Sequence, residues 1–262
     1  VGYYTHPNGA FLVLSQEAGR FMLDVGGGKT EIYPLSATEF FIKFNPNRYV
    51  ITKDDKGKVT ALTIKSEANE SHFKKLNTAE AKARAAEILA AAYQAKGGEE
   101  KLRSIRDVQF DSTLTQNNSS VPNKIFLSSQ RQFRQAIGEE NAEPTSLTVS
   151  DGKSLWRQSN GKATRLSPEQ LLGWWQQVWW LFTLQPFPDK TMEVLSLGER
   201  QVNGKPVDAI ILLIAPFRYV LSFDQQTHLL VRSTHSGGDD VVYEDFRAVN
   251  GIQFPFKATI NP

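Results

Sequence analysis

Along residues 1–76, short runs of alternating apolar and polar side chains are separated by turn-forming residues. Phe11-Leu12-Val13-Leu14 follows Asn8-Gly9, and Phe21-Met22-Leu23-Asp24-Val25 follows Ala18-Gly19. Residues 39–44 lead into Asn45-Pro46-Asn47, and the runs 49–52 and 59–64 flank Asp54-Asp55-Lys56-Gly57. Alternation with a period of two and Gly-, Asn- or Asp-containing breaks is the pattern of hairpins. Its close spacing predicts a small antiparallel barrel or sandwich. The pattern changes at Asn77. The stretch "TAEAKARAAEILAAAYQAK" (78–96) is rich in strong helix formers, with Asn77 and Glu80 placed to cap it and Gly97-Gly98 to end it. Ile88, Leu89, Ala92 and Tyr93 mark its apolar face, and a short turn through "EEKLRSI" follows.

Strand-like runs resume at 108–116, 124–137, 146–150, 154–158 and 163–166, with Asp151-Gly152 and Asn160-Gly161 as turns. A second set covers 192–201, 207–215, 218–223, 229–234, 241–248 and 253–260. The tracts "QNNSSVPN" (116–123) and "GEENAEPTS" (138–146) read as exposed loops. The expected class is therefore mainly β. A small antiparallel domain spans 1–76, and a second domain spans 77–262 with helices at about 78–96 and 167–184.

The second helix departs from ordinary composition. Ser167-Pro168-Glu169-Gln170 is a helix start, with Ser at the cap and Pro at the first helical position. "LLGWWQQVWWLF" (171–182) follows and holds four of the five tryptophans. At roughly 100° per residue, Leu171, Leu172, Trp174, Trp175, Val178, Trp179, Leu181 and Phe182 share about half the circumference. Gly173, Gln176 and Gln177 occupy the other half, where Trp180 also falls. One reading is a helix packed across the open face of a sheet. The other is that it also lines or lids an incompletely filled cavity. Burying a large aromatic contributes roughly 2–3 kcal/mol, and Trp180 is left over by a pure core account. A helix lying on a membrane surface wants Lys or Arg on its polar face, and here that face carries glutamines.

Charge and composition narrow the function classes. The formal net charge is +2, 22% of residues are charged, and Lys74-Lys75 is the longest cationic cluster, so no basic face for nucleic acid is built. The chain has no cysteine, which removes disulfides, thiolate metal sites and cysteine nucleophiles. No run of about 18 apolar residues marks a membrane-spanning helix. The opening "VGYYTHPNGAFLVL" is strand-like from its start and lacks Met and a leader. It reads as the interior of a longer precursor whose export signal lies upstream.

Catalytic motifs do not assemble. In "DVGGGKTEI" the position where a phosphate-binding loop needs its first glycine is Leu23, and strand-like residues follow instead of a helix. Ser71/Lys74 and Ser150/Lys153 fit S-x-x-K, yet neither serine opens a helix and no K-T-G or G-x-S-x-G accompanies them. His6, His72, His228 and His235 are not paired at ligand spacing. His235 with Asp239 and Asp240 reads as a solvated hairpin tip rather than a cation site. Glu244 and Asp245 are neighbours in a strand and point to opposite faces. Asn69, Asn117 and Asn118 lie in N-x-S sequons. The expectation is a protein without catalytic residues, metal or cofactor.

Two resemblances add to this. The pieces "AKGGEEKLRSI", "LGERQVNGKPVDAIILLI", "LSFDQQTHLLVRS" and "VYEDFRAVNGIQFPF", within residues 78–262, resemble the outer-membrane lipoprotein-sorting carriers. That resemblance implies a curved antiparallel half-barrel whose apolar concave side is covered by helices and filled loosely enough for an acyl chain. No residue here matches the polar one that gates that family's cavity, so what carries over is the sheet and its cavity. Residues 1–76, with "VGYY", "DDKGKVTAL" and "YPLS", resemble a small β-domain appended to secreted β-lactamase-like serine hydrolases and other exported enzymes. Its relatives are lipocalin-like. That likeness implies an accessory region of a larger exported protein.

The functional expectation is a non-catalytic periplasmic or extracellular protein that binds a lipid or other apolar small molecule. Trp156, Leu171, Trp174, Trp175, Val178, Trp179, Trp180 and Phe182 would form the wall or lid. The alternative is a C-terminal accessory or docking region of a secreted peptidase or serine hydrolase, with that upstream enzyme domain as its partner.

Overall fold

The computed structural model describes every residue except 8, 27, 117–118, 130–131, 140–141, 168–183, 185–191, 215–216, 236–239 and 262. Among the described residues the class is mainly β, with two helices, a closed antiparallel barrel and two curled six-stranded antiparallel sheets.

The barrel is formed by β1 (Gly2–Thr5), β2 (Phe11–Glu17), β3 (Arg20–Asp24), β4 (Lys29–Pro34), β5 (Glu39–Phe41), β6 (Arg48–Lys53), β7 (Val59–Lys65) and β8 (Glu70–Lys75), each paired with the next. Pairing of Tyr4 with Lys75 and Thr5 with Lys74 closes it, which leaves no open edge. Alternation sorts the side chains. Tyr4, Leu12, Leu14, Leu23, Ile32, Phe40, Tyr49, Leu62 and Phe73 fill the interior, as expected for a barrel this narrow. The turns are those the residues demand. Ala18 and Gly19 both have positive φ, and the Asp54 carboxylate accepts the amides of Lys56 and Lys58 at 3.0 and 2.8 Å.

The Tyr4 hydroxyl is buried in this interior without a hydrogen-bond partner among the described residues, and burial pushes its titration upward. A stranded hydroxyl costs more than its deletion. Tyr4→Phe is therefore expected to raise stability by about 1 kcal/mol, read as a higher urea midpoint. A lower midpoint would contradict this account of the hydroxyl.

Helix α1 (Thr78–Lys96) is followed by α2 (Glu99–Ser104). Ala81 N–H donates to the Asn77 carbonyl at 2.9 Å, and the Asn77 side chain reaches Glu80 at 3.4 Å. At the far end Gly98 N–H bonds the Tyr93 carbonyl (2.8 Å) and Gly97 N–H the Gln94 carbonyl (3.2 Å), the pair of bonds that defines a Schellman cap. The first sheet runs β14-β13-β12-β11-β10-β9, with β9 (Asp107–Gln116), β10 (Ser119–Ser128), β11 (Gln132–Ile137), β12 (Ser146–Asp151), β13 (Leu155–Ser159) and β14 (Lys162–Leu166). The second runs in chain order through β15 (Glu193–Val202), β16 (Lys205–Ile214), β17 (Phe217–Asp224), β18 (Leu230–His235), β19 (Asp240–Val249) and β20 (Ile252–Asn261).

Two compact units result. One contains Val1–Ala92, Thr191–Phe246 and Pro255–Pro262, and the other contains Tyr93–Lys190 with Arg247–Phe254. In the first, the outward residues Tyr3, Phe11 and Val13 of the barrel pack with Ala81 of α1 and with Leu195, Leu197, Ala209, Ile211, Leu213 and Val220 of the β15–β20 sheet. Polar ties surround this cluster. Arg218, 7% exposed, donates to the carbonyls of Phe11 and Asp24 at 3.2 Å each and pairs with the Asp24 carboxylate. Arg84 bridges Asp208 at 3.2 Å. Lys82 meets Glu193 at 2.6 Å, and Tyr3 donates to the same carboxylate. Burial pushes the Glu193 carboxyl up, but the hydrogen bonds from Lys82 and Tyr3 prevail and hold it below the usual carboxylate range. On the opposite face of this sheet Ile210, Leu212, Leu221 and Phe223 are fully buried.

Two strand expectations need revision. The run 124–137 divides into β10, which ends at Ser128, and β11, which starts at Gln132, and the sequence from 128 to 132 has no Gly, Pro or Asn to announce the break. Residues 119–123, expected in a loop, belong to β10. Pro122 is accommodated there because pairing with β11 ends at Asn123–Ile137, and its carbonyl takes the Gly138 amide at 3.0 Å.

Candidate ligand-binding face

The site is built from the β9–β14 sheet and the junction of α1 with α2. Paired residues in antiparallel strands share a face, so the registers sort the sheet into two sides. One carries Val108, Phe110, Ser112 and Leu114 on β9, with Leu127, Ile125, Asn123 and Val121 opposite them on β10. Phe133, Gln135 and Ile137 of β11 continue it, then Ser150 and Thr148 of β12, and Leu155 and Arg157 of β13. Leu127, Phe133 and Leu155 are buried. Phe110, Leu114, Val121, Ile125 and Ile137 remain only half-buried.

A polar thread crosses this side. Gln135 donates to Asn123 Oδ1 at 3.0 Å, Asn123 donates to Ser112 Oγ at 2.9 Å, and Ser112 donates to the Asn123 carbonyl at 3.0 Å. Asn123 and Thr148 are both buried. The thread satisfies its own members and fixes the register of β9–β11, while leaving hydrocarbon on either side of it.

Helix α1 brings a cation to the same unit. Its buried positions run Ala81, Ala85, Ile88, Ala92 and then Lys96, steps of three and four that keep them on one stripe. Lys96 thus occupies a core position with 3% exposure. Its Nζ stands 5.2 Å from the centroid of Phe254, and Phe254 meets Phe110 edge to face at 5.9 Å. Among the described residues no carboxylate or hydrogen-bond acceptor partners it. Burial alone pushes its amine down to about 8. Gly97 sets this placement, because a Cβ there would lie 2.5 Å from the Gly251 carbonyl oxygen, so the helix end sits against the β19–β20 turn.

The residues expected from sequence are distributed as follows. Trp156 belongs to the other side of the sheet, paired with Val149 and Arg165. It is 43% exposed, with the Arg165 guanidinium 6.0 Å from its ring. Phe126 shares that side at 37% exposure. Leu171, Trp174, Trp175, Val178, Trp179, Trp180 and Phe182, and almost all of the helix expected over 167–184, lie outside the described residues. Ser71 and Lys74 stand on β8, and the Asp151 carboxylate next to Ser150 is occupied by the amides of Lys153 and Ser154. Asp240 is held by Arg232 in a two-point contact at 2.6 and 2.8 Å. Among the described residues no cluster of three His, Asp or Glu side chains gathers at metal-binding distances.

Lys96 was not singled out by sequence reasoning. The signal was present, since extending the stripe 81, 85, 88, 92 by four residues reaches a lysine. A terminal Lys in a helix is ordinarily read as a partner for the helix dipole, which hides it.

No known family model matches this sequence, and no curated protein does. Solved structures similar to this chain include a LolA superfamily protein from Nitrosomonas europaea (14% identity, TM-score 0.45, covering 67% of this chain and 84% of that one). A DUF1329 family protein from Desulfovibrio piger is similar at 10% identity and TM-score 0.42, over 67% and 86% of the two chains. A domain assigned to outer membrane lipoprotein sorting from Vibrio parahaemolyticus is similar at 8% identity and TM-score 0.43, over 67% and 85%. These names coincide with the resemblance seen in residues 78–262.

Proposed function

We propose that this chain is a non-catalytic exported protein that holds a lipid or other apolar small molecule against the apolar side of the β9–β14 sheet. One observation carries the reading. Phe110, Leu114, Val121, Ile125 and Ile137 share a face and stay half-buried, whereas the equivalent apolar face of the β15–β20 sheet is closed down to fully buried residues. A filled core leaves no such row. An apolar ligand gains roughly 25 cal/mol for each Å² of hydrocarbon it removes from water, and few polar anchors are needed. Trp174, Trp175, Trp179, Trp180 and Phe182 are proposed to supply further apolar wall to the same ligand. Among the described residues no helix is long and apolar enough to cross a membrane.

The test combines native mass spectrometry of protein purified without detergent with a fluorescence titration against saturated fatty acids of increasing length. The expected results are a co-purifying lipid mass, quenching of indole emission, and affinity that grows by about 0.8 kcal/mol per methylene. A protein that carries no lipid and whose emission ignores every chain length would overturn the reading.

A further inference from the structure

We propose that Lys96 is the anchor for an anionic head group. On this view the ligand of the β9–β14 face is a single-chain amphiphile whose terminal carboxylate pairs with the Lys96 ammonium while its tail lies along Phe110 and Ile125. This rests on the carrier reading above and names its ligand class.

The geometry that supports it is local. Lys96 ends the buried stripe of α1, is 3% exposed, and touches an aromatic face rather than a carboxylate. Taking an ammonium out of water without a counter-ion is strongly unfavourable, and a cation over an aromatic ring recovers only part of that loss. The titratable groups around Lys96 do not supply its counter-ion. On α2, Glu99 is bound by Arg103 at 2.6 Å. Lys101 Nζ lies against the β19–β20 turn, 2.7 Å from where a Gly251 Cβ would stand. On α1, Tyr93 one turn back has its hydroxyl pushed up to about 12, chiefly by burial, so it stays neutral. On β9, Asp111 accepts from Gln109 at 3.3 Å, and Gln109 is on the opposite side of the sheet from Phe110. On β20, residues 252–256 carry no charge. One positive charge with no anionic partner among the described residues, linked to Phe110 through the Phe254 ring, fits one negative charge on a hydrocarbon chain.

The test measures binding of oleate and of oleyl alcohol, which share a tail and differ in the head, to the wild-type chain and to Lys96→Met. At neutral pH the wild type is expected to prefer oleate by about tenfold, the equivalent of one charge-assisted contact. Lys96→Met should lose that preference and keep its affinity for the alcohol. In the wild type alone the preference should also vanish at about pH 10, above the amine's titration, and this arm decides the matter if the variant does not fold. Equal preference in both proteins, or a preference unchanged at alkaline pH, would overturn the assignment while leaving a carrier of neutral lipids. Failure of both compounds to bind the wild type would instead remove the carrier reading, and the anchor with it.

Discussion

Gly97→Ala is expected to destabilise the protein by about 3 kcal/mol, while Gly98→Ala costs about 1 kcal/mol. The two glycines are adjacent and both have positive φ, 136° and 94°, so backbone preference alone does not separate them. Their surroundings do. A Cβ on Gly97 would stand 2.5 Å from the Gly251 carbonyl oxygen and 3.2 Å from Ile252 Cα, both backbone atoms, whereas one on Gly98 meets nothing within 4 Å. Backbone cannot yield as a flexible side chain can. The β19–β20 turn must move away, taking with it Phe254 and the aromatic contact of Lys96. Urea unfolding of the two variants checks this, and equal midpoints would show that the close approach contributes nothing.

The second large effect is at Arg218. Arg218→Met should cost about 3 kcal/mol, because it strands three acceptors together: the Asp24 carboxylate and the carbonyls of Phe11 and Asp24. The Asp24 side chain keeps 20% exposure and accepts the Gly26 amide at 2.9 Å, so part of its charge remains solvated and the loss falls at the lower end of the range for broken buried pairs. Asp24→Asn should cost less, since the amide oxygen still accepts from Gly26 and Arg218 keeps two carbonyls. Glu17→Gln serves as a control. Its pair with Lys29 at 2.5 Å lies between half-exposed side chains, and solvent-exposed pairs contribute little. Chemical denaturation of the three variants ranks them. A loss below 1 kcal/mol at Arg218 would contradict its role as the tie between barrel and sheet.

How far the sequence disclosed this molecule depends on whether the deciding interaction is local. Hairpins announced by Ala18-Gly19, Asp54–Gly57 and Asn160-Gly161 occur where their turn residues fall, since a tight turn is settled by its own φ requirements. The helix stop at Gly97-Gly98 is legible for the same reason. Closure of the barrel by β1 and β8 was not, because it pairs Tyr4 with Lys75 across the whole domain and no local pattern encodes it. The division of 124–137 was hidden because residues 128–132 include no Gly, Pro or Asn. Trp156 shows a further limit. Periodicity says that it and Leu155 point to opposite sides, but only the register across four strand pairings shows which side joins Phe110 and Ile125. Lys96 was masked by a residue type that usually sits in water, although its spacing from Ala92 placed it on the buried stripe.

The central claim is that hydrocarbon occupies the apolar side of the β9–β14 sheet. Its most direct test is a crystal structure of the full chain grown with a dibrominated stearate, with the bromines located by anomalous scattering. The account predicts bromine peaks beside Phe110, Ile125 and Ile137, with the carboxylate directed towards Lys96. Bromine found only on the outer side near Trp156 and Phe126, or nowhere on the sheet in a crystal soaked to saturation, would contradict it.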